Sequence, residues 1–232
     1  MTSEARHQHE YQGHEAVGYE DRRTTDAKWA AEDRALVELL DLACPHPASV
    51  LDVPVGTGRF LPHYLDRGHT VVGVDISTDM LEVARAKVPE ALQNGASVDG
   101  ASVDLATGDV TSLAYGDDSF DLAVCVRLLN LVDVDVVARA VSELARVSRG
   151  HVLIGLRTYD PVSAPYQALR RAKDRLTGRS TKVVPHPAAI VGELTTANGL
   201  SLQHRVEIDR GARRSSIYHF YLFTVAGHPS NA

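Results

Sequence analysis

Two hydrophobic rhythms run along this chain. Near the N-terminus, Trp29, Leu36, Val37, Leu39, Leu40 and Leu42 form a stripe at helical spacing. They predict a helix from about Thr25 that Pro45 and Pro47 stop. Beyond it, short and nearly continuous apolar runs predict strands at 49–53, 71–74, 102–107, 120–126 and 150–156. Helical patterns fill the gaps at 59–67, 78–87 and 134–147, with Ser77 as an N-cap and Pro89 as a stop. Apolar strands alternating with helices predict right-handed crossovers and a parallel sheet covered on both faces. The rhythm breaks over 158–187 and resumes as a helix at 187–198 with Gly199 as its C-cap. Segments 202–208 and 216–225 flank the polar stretch Asp209-Arg210-Gly211 and predict a closing antiparallel hairpin. The pentapeptide Gly-Ala-Ser-Val-Asp occurs twice in tandem, at 95–99 and 100–104; the second copy leads into a strand, and the first reads as surface loop.

The chemistry begins where the first strand ends. Val50-Leu51-Asp52-Val53-Pro54-Val55-Gly56-Thr57-Gly58-Arg59-Phe60 is an apolar run that meets a Gly-x-Gly turn and passes into a helix. Such glycines let backbone approach a ligand where no side chain leaves room. The next strand ends on Asp75, where a carboxylate meets a ribose diol in nucleotide-binding α/β sheets. A nicotinamide dinucleotide or S-adenosylmethionine (SAM) would use this geometry. Dinucleotide fingerprints carry a third glycine for close helix packing, and here Leu61 takes that place.

The segment resembles motif I of the class I SAM-dependent methyltransferases, Asp/Glu-x-Gly-x-Gly-x-Gly, with Asp52, Gly56 and Gly58 matching and Pro54 in place of the first glycine. The resemblance extends over roughly 25–225. It implies a Rossmann-like, doubly wound seven-stranded sheet of order 3-2-1-4-5-7-6, its last strand antiparallel, with an N-terminal helical lid. Residues 1–24 are then a flexible lid segment and 25–232 the methyltransferase domain, with 158–187 as a candidate substrate lid. By the same resemblance Gly56 and Gly58 face the methionine part of SAM, Asp52 receives its ammonium directly or through water, and Asp75 accepts from its ribose. Ile76 and Met80 line the adenine, Asp109 accepts from the adenine amino group, and the Val110 N–H meets the ring. Tyr19 and Arg22 resemble a lid pair that folds over the cofactor, the arginine on its carboxylate.

Methyl transfer from a sulfonium asks the protein mainly to position a nucleophile and exclude water, so no fixed residue set marks the reaction. The loop after the fourth strand is the place to look. There Arg127 reads either as a clamp for an acidic acceptor or as a brace against Asp121 or Asp133, while Asn130 orients the acceptor or closes a turn. Arg157 and Tyr159 end the fifth strand at the same edge and are further acceptor-binding candidates. His186 is the candidate base, placed where a lid would deliver it. The segment 170–182 holds Arg170, Arg171, Lys173, Arg175, Arg179 and Lys182 against Asp174 alone. That reads as a cationic lid for a phosphorylated or acidic acceptor, or as a solvated helix face.

Composition narrows the choice. A chain of 232 residues, 44% hydrophobic, is long enough for one domain with a sizeable core. Cys44 and Cys125 fall in or beside apolar elements and read as reduced thiols. No apolar stretch approaches a membrane span and the first thirty residues lack a signal-peptide core, so the cytoplasm is the expected location and no membrane partner is expected. A net charge of −6 argues against a general nucleic-acid binder. No cluster has metal-ligand spacing, and no metal is expected. The expectation is a monomeric or homodimeric enzyme that methylates O or N of a small, acidic or phosphorylated metabolite. An RNA methyltransferase and a non-catalytic SAM-binding protein are the alternatives.

Overall fold

The computed structural model describes residues 27–177, 183–210 and 215–227. Tyr19 and Arg22 lie outside them. Helix α1 (Ala27–Ala43) leads into β1 (Ser49–Asp52), α2 (Leu61–Leu65), β2 (Thr70–Asp75) and α3 (Thr78–Lys87). A short hairpin, β3 (Ser97–Val98) and β4 (Ala101–Thr107), is followed by β5 (Phe120–Cys125), α4 (Val134–Val147) and β6 (Ser148–Tyr159). A 3-10 turn (Pro161–Ser163) opens α5 (Ala164–Thr177), after which come β7 (His186–Pro187), α6 (Ile190–Asn198), β8 (Leu200–Arg210) and β9 (Ile217–Val225).

The sheet order is β3-β4-β2-β1-β5-β6-β9-β8, with β7 added beside β6. Setting aside the two-residue strands β3 and β7, this is the expected 3-2-1-4-5-7-6 order, and β9 runs antiparallel to both neighbours. Strand alternation sorts the core into two layers. Leu51, Ala123, Val152 and Phe223 are register partners across four strands and face α4 and α6. Val124, Leu153 and Leu222 point the other way, into the layer that holds α1 and α2. All seven are at most 1% exposed, which explains why these strands read as continuous apolar runs.

Capping matches the sequence. The Met80 N–H donates to Ser77 Oγ (3.3 Å), and Gly199 closes α6 at φ 59°. The helix expected at 187–198 begins at Ile190, since Pro187 pairs with β6, and β6 itself is longer than the expected 150–156. Three further elements differ from expectation. The helix predicted at 59–67 is only five residues long, because 54–60 is taken up by tight turns in which the Gly58 N–H donates to Val55 O. Asp209 and Arg210, expected in a turn, extend β8 instead, since an edge strand accepts polar side chains on its exposed face. The first pentapeptide copy is not loop. Its Ser97 and Val98 pair antiparallel with Ser102 and Ala101 around Asp99-Gly100, both at positive φ as a two-residue hairpin turn requires.

Candidate functional site

A cavity of about 460 Å³ opens at the carboxyl ends of β1, β2 and β5, the edge where open α/β sheets hold ligands. The extended start of the β1–α2 loop places it there: the Val53 N–H bonds Val124 O on one side and the Val55 N–H bonds Val74 O on the other. The loop then turns through Gly56 (φ 56°) and Gly58 (φ 72°), left-handed conformations suited to glycine. A Cβ on Gly56 would enter open space beside the cavity. One on Gly58 would strike Leu61 Cδ1 (2.8 Å) and crowd Ala84 on α3. The first glycine therefore keeps the cradle clear, and the second lets the loop pack against α3.

Asp75 anchors the opposite wall. Its carboxylate accepts from the Gly56 N–H (2.9 Å) and the Ser77 N–H (2.8 Å), so the glycine loop and the start of α3 are fastened to one side chain. Burial raises its pKa against the pull of the Ser77, Gly56 and Ile76 N–H groups. Beside it Ile76 is 45% exposed although apolar, and Met80 is buried; both line the cavity. Asp52 lies deeper. It is 2% exposed and its Oδ1 has no hydrogen-bond partner among the described residues. Burial pushes its carboxyl up to about 8, with Tyr64 opposing the shift and the Asp75 charge adding to it. Asp109 and Val110 follow β4 outside the cavity lining. Asp109 is exposed and accepts from the Thr111 N–H and hydroxyl, while Val110 is buried in the α4 layer.

Of the third wall, the sequence pointed to Arg127 alone. Glu32 of α1 is fully buried, and its Oε2 accepts from Arg59 Nη1 (2.6 Å) and Arg127 Nη1 (2.8 Å). The two guanidiniums flank the Trp29 indole, at 4.0 Å and 5.5 Å from its centroid. Arg59 is fixed further by Asp33 and by Trp29 O. Arg127 therefore braces against Glu32, not against Asp121 or Asp133; Asp121 is occupied by Ser49 and Arg149. Arg127 also holds a left-handed backbone (φ 71°), unusual for a non-glycine residue, and its N–H donates to the Tyr218 hydroxyl (3.3 Å). Trp29, Arg59 and Arg127 line the cavity with Val126, Leu128 and Leu131. The only tryptophan of the chain and the arginine directly after the Gly-Thr-Gly turn were the available signals for two of these groups.

The remaining candidates are not brought to the cavity. Arg157 is buried against Asp209 and lies over the Tyr218 ring, because register sets Arg157, Tyr218 and Asp209 side by side on β6, β9 and β8. Tyr159 packs under the Arg171 guanidinium. Asn130 gives its carbonyl to the Val184 N–H (2.7 Å). His186 is 3% exposed and its Nε2 lies 2.9 Å from Leu129 O, where the N–H donates; burial lowers its pKa. Arg170 and Arg171 tie α5 to the carbonyls of Val183 and Pro185 and do not reach the cavity.

Residues 50–150 match the family described as "Methyltransferase domain". The chain is 32% identical over 148 residues to a demethylmenaquinone methyltransferase of Renibacterium salmoninarum, covering 61% of this chain and 55% of that protein. It is 37% identical over 132 residues to a phosphatidylethanolamine N-methyltransferase of Cereibacter sphaeroides, covering 55% of this chain and 61% of that protein. The chain thus spans less than two thirds of these relatives. In fold it resembles a SAM-bound magnesium protoporphyrin IX methyltransferase from Synechocystis, with a TM-score of 0.69, 14% identity, and 97% and 98% of the two chains covered.

Proposed function

We propose that this chain, whose residues 50–150 match a methyltransferase domain, is a class I enzyme that transfers a methyl group from SAM to O or N of a small acceptor with an apolar body and an anionic group. One observation carries the reading: Asp75, the open left-handed Gly56 and the exposed Ile76 form a single wall of the cavity. A carboxylate for a diol, bare backbone and an apolar face beside it suit an adenosine joined to an amino acid. Asp52, whose orphaned Oδ1 lies behind the lining, suits an ammonium reached through water. Bound there, the cofactor would supply an electrophilic methyl group on a sulfonium.

The chain's own part is to hold and shield. Gly56 shapes the floor, Gly58 packs the loop on α3, Asp75 fixes the ribose, and Ile76 and Met80 cover the adenine. Val126, Leu128, Leu131 and Trp29 keep the transfer region dry. Arg127, held by Glu32, presents cationic charge to the acceptor. Asp75 and Asp79 are the only carboxylates lining the cavity among the described residues, and no histidine lines it. That favours an acceptor already nucleophilic at neutral pH, such as a carboxylate or an aromatic amine. His186 then acts as a positioning residue through the Leu129 carbonyl. A small acceptor is preferred over RNA because Arg210 is paired with Glu207 through two hydrogen bonds, which interrupts a basic face on β8.

Calorimetric titration with S-adenosylhomocysteine, with NADH as control, tests the cofactor. Micromolar binding of the former alone is expected; binding of NADH instead would overturn the reading. The same experiment reports on Asp52. Its carboxyl rises from the ordinary 3.8 to about 8 on folding, so at pH 7 the free protein holds a proton that the unfolded chain has released. Stability of the free protein accordingly declines as pH rises through that window. An ammonium placed against Asp52 favours the carboxylate, so binding at pH 7 should release up to about one proton. Heats measured in buffers of different ionisation enthalpy give the number; a value of zero would remove Asp52 from the ammonium site.

A further inference from the structure

Helix α5 is built inside out. Its inward residues are polar: Gln167 is 1% exposed with its Nε2 donating to Ser215 O (2.9 Å), and Arg170 reaches in to Val183 O. Its outward residues are apolar. Val162 in the preceding turn, Leu169 and Leu176 are 89%, 70% and 88% exposed, with Tyr166 between them. The spacing 162, 166, 169, 176 keeps them on one stripe. A large apolar stripe left in water while polar groups are turned inward calls for a partner.

The charge around the stripe says which one. Exposed Lys173 lies on the stripe between Leu169 and Leu176, and α5 as a whole carries four cationic residues against Asp174 in a chain of net charge −6. A second copy laid on the stripe face to face would bring two cationic helices together. An anionic surface with an apolar interior complements both features at once, and it repels the acidic remainder of the chain, which orients α5 toward it.

We propose that α5 docks this protein on the surface of an anionic phospholipid bilayer, with Val162, Tyr166, Leu169 and Leu176 entering the acyl boundary and Lys173 among the headgroups. Contacts link this face to the site. Arg171 donates to Pro185 O, the Val184 N–H to Asn130 O and His186 to Leu129 O, and the flanking Leu128 and Leu131 line the cavity. The inference stands on α5 alone and is independent of the acceptor proposed above.

Sedimentation of the full chain with sucrose-loaded vesicles tests it, using phosphatidylcholine alone and phosphatidylcholine mixed with phosphatidylglycerol. Binding to the mixed vesicles, weakening with salt and nearly absent on the neutral ones, is expected. The double variant Leu169→Ser/Leu176→Ser removes only exposed apolar groups, so its melting temperature and S-adenosylhomocysteine affinity should hold while its vesicle partitioning falls about tenfold or more. Equal partitioning of variant and wild type, or no binding of the wild type, would overturn the proposal. So would a wild-type dimer that the double variant dissociates, which would make a second copy the occupant.

Discussion

Glu32→Ala is expected to cost about 3 kcal/mol of stability, which for a domain of this size appears as a fall in Tm of roughly 6–12 °C. The argument is geometric. One fully buried carboxylate oxygen accepts from two guanidiniums that come from α1-distant parts of the chain, the glycine loop and the β5–α4 loop. Removing the carboxylate leaves two cations that shared one oxygen facing each other with a cavity between them. Arg59 keeps Asp33 and Trp29 O, which is why the figure is not larger. Glu32→Gln keeps the shape and one acceptor oxygen and should lose about half as much. Because Glu32 is shielded from solvent, the loss should change little with salt. The acceptor's apparent KM should rise in both variants, since Arg127 loses the group that aims it. A Tm within a degree of wild type would mean that the arginines are solvated and that α1 does not organise the cavity.

Asp75→Ala should weaken S-adenosylhomocysteine binding by about 1–3 kcal/mol, or roughly 5- to 150-fold in Kd. Two losses combine here. The ribose hydroxyls lose a charged acceptor, and the Gly56 and Ser77 N–H groups lose the side chain that fastens loop to helix. Asp75→Asn separates them: it retains an oxygen for one N–H but turns an amide donor toward the other, so loop anchoring is partly kept while charge is lost. Calorimetry on the two variants ranks the contributions. An unchanged Kd in Asp75→Ala would move the ribose elsewhere and undo the cofactor map.

Sequence reading succeeded where a residue's role is decided locally. The Ser77 cap, the left-handed Gly199, the α4 limits and the acid closing β2 depend on neighbours within a few positions. It failed where the partner is distant. Glu32 meets residues 27 and 95 positions away, and nothing near it in the chain distinguishes it from Asp33 or Glu38. Arg157 looked available at the sheet edge because its consumption by Asp209 follows from a β6–β9–β8 register that no local pattern encodes. The basic segment after β6 was read for its charge, but what matters about α5 is which face its leucines take, and that depends on Gln167 being drawn inward by Ser215. A search for a membrane-length apolar run passes over such a helix, because its apolar residues are spread along a stripe.

The hairpin at the sheet's outer edge has an origin written into its sequence. A single Gly-Ala-Ser-Val-Asp contains no Asp-Gly; that dipeptide arises only at the seam where one copy ends and the next begins. The seam is the turn, at Asp99-Gly100, and the residues on either side of it are the strand pair. The tandem repeat thus holds the bend and the partner strand together. Because the new strand is two residues long, it covers the start of β4 without offering a template for further pairing. An insertion of this kind lengthens a sheet margin in one genetic step and terminates itself.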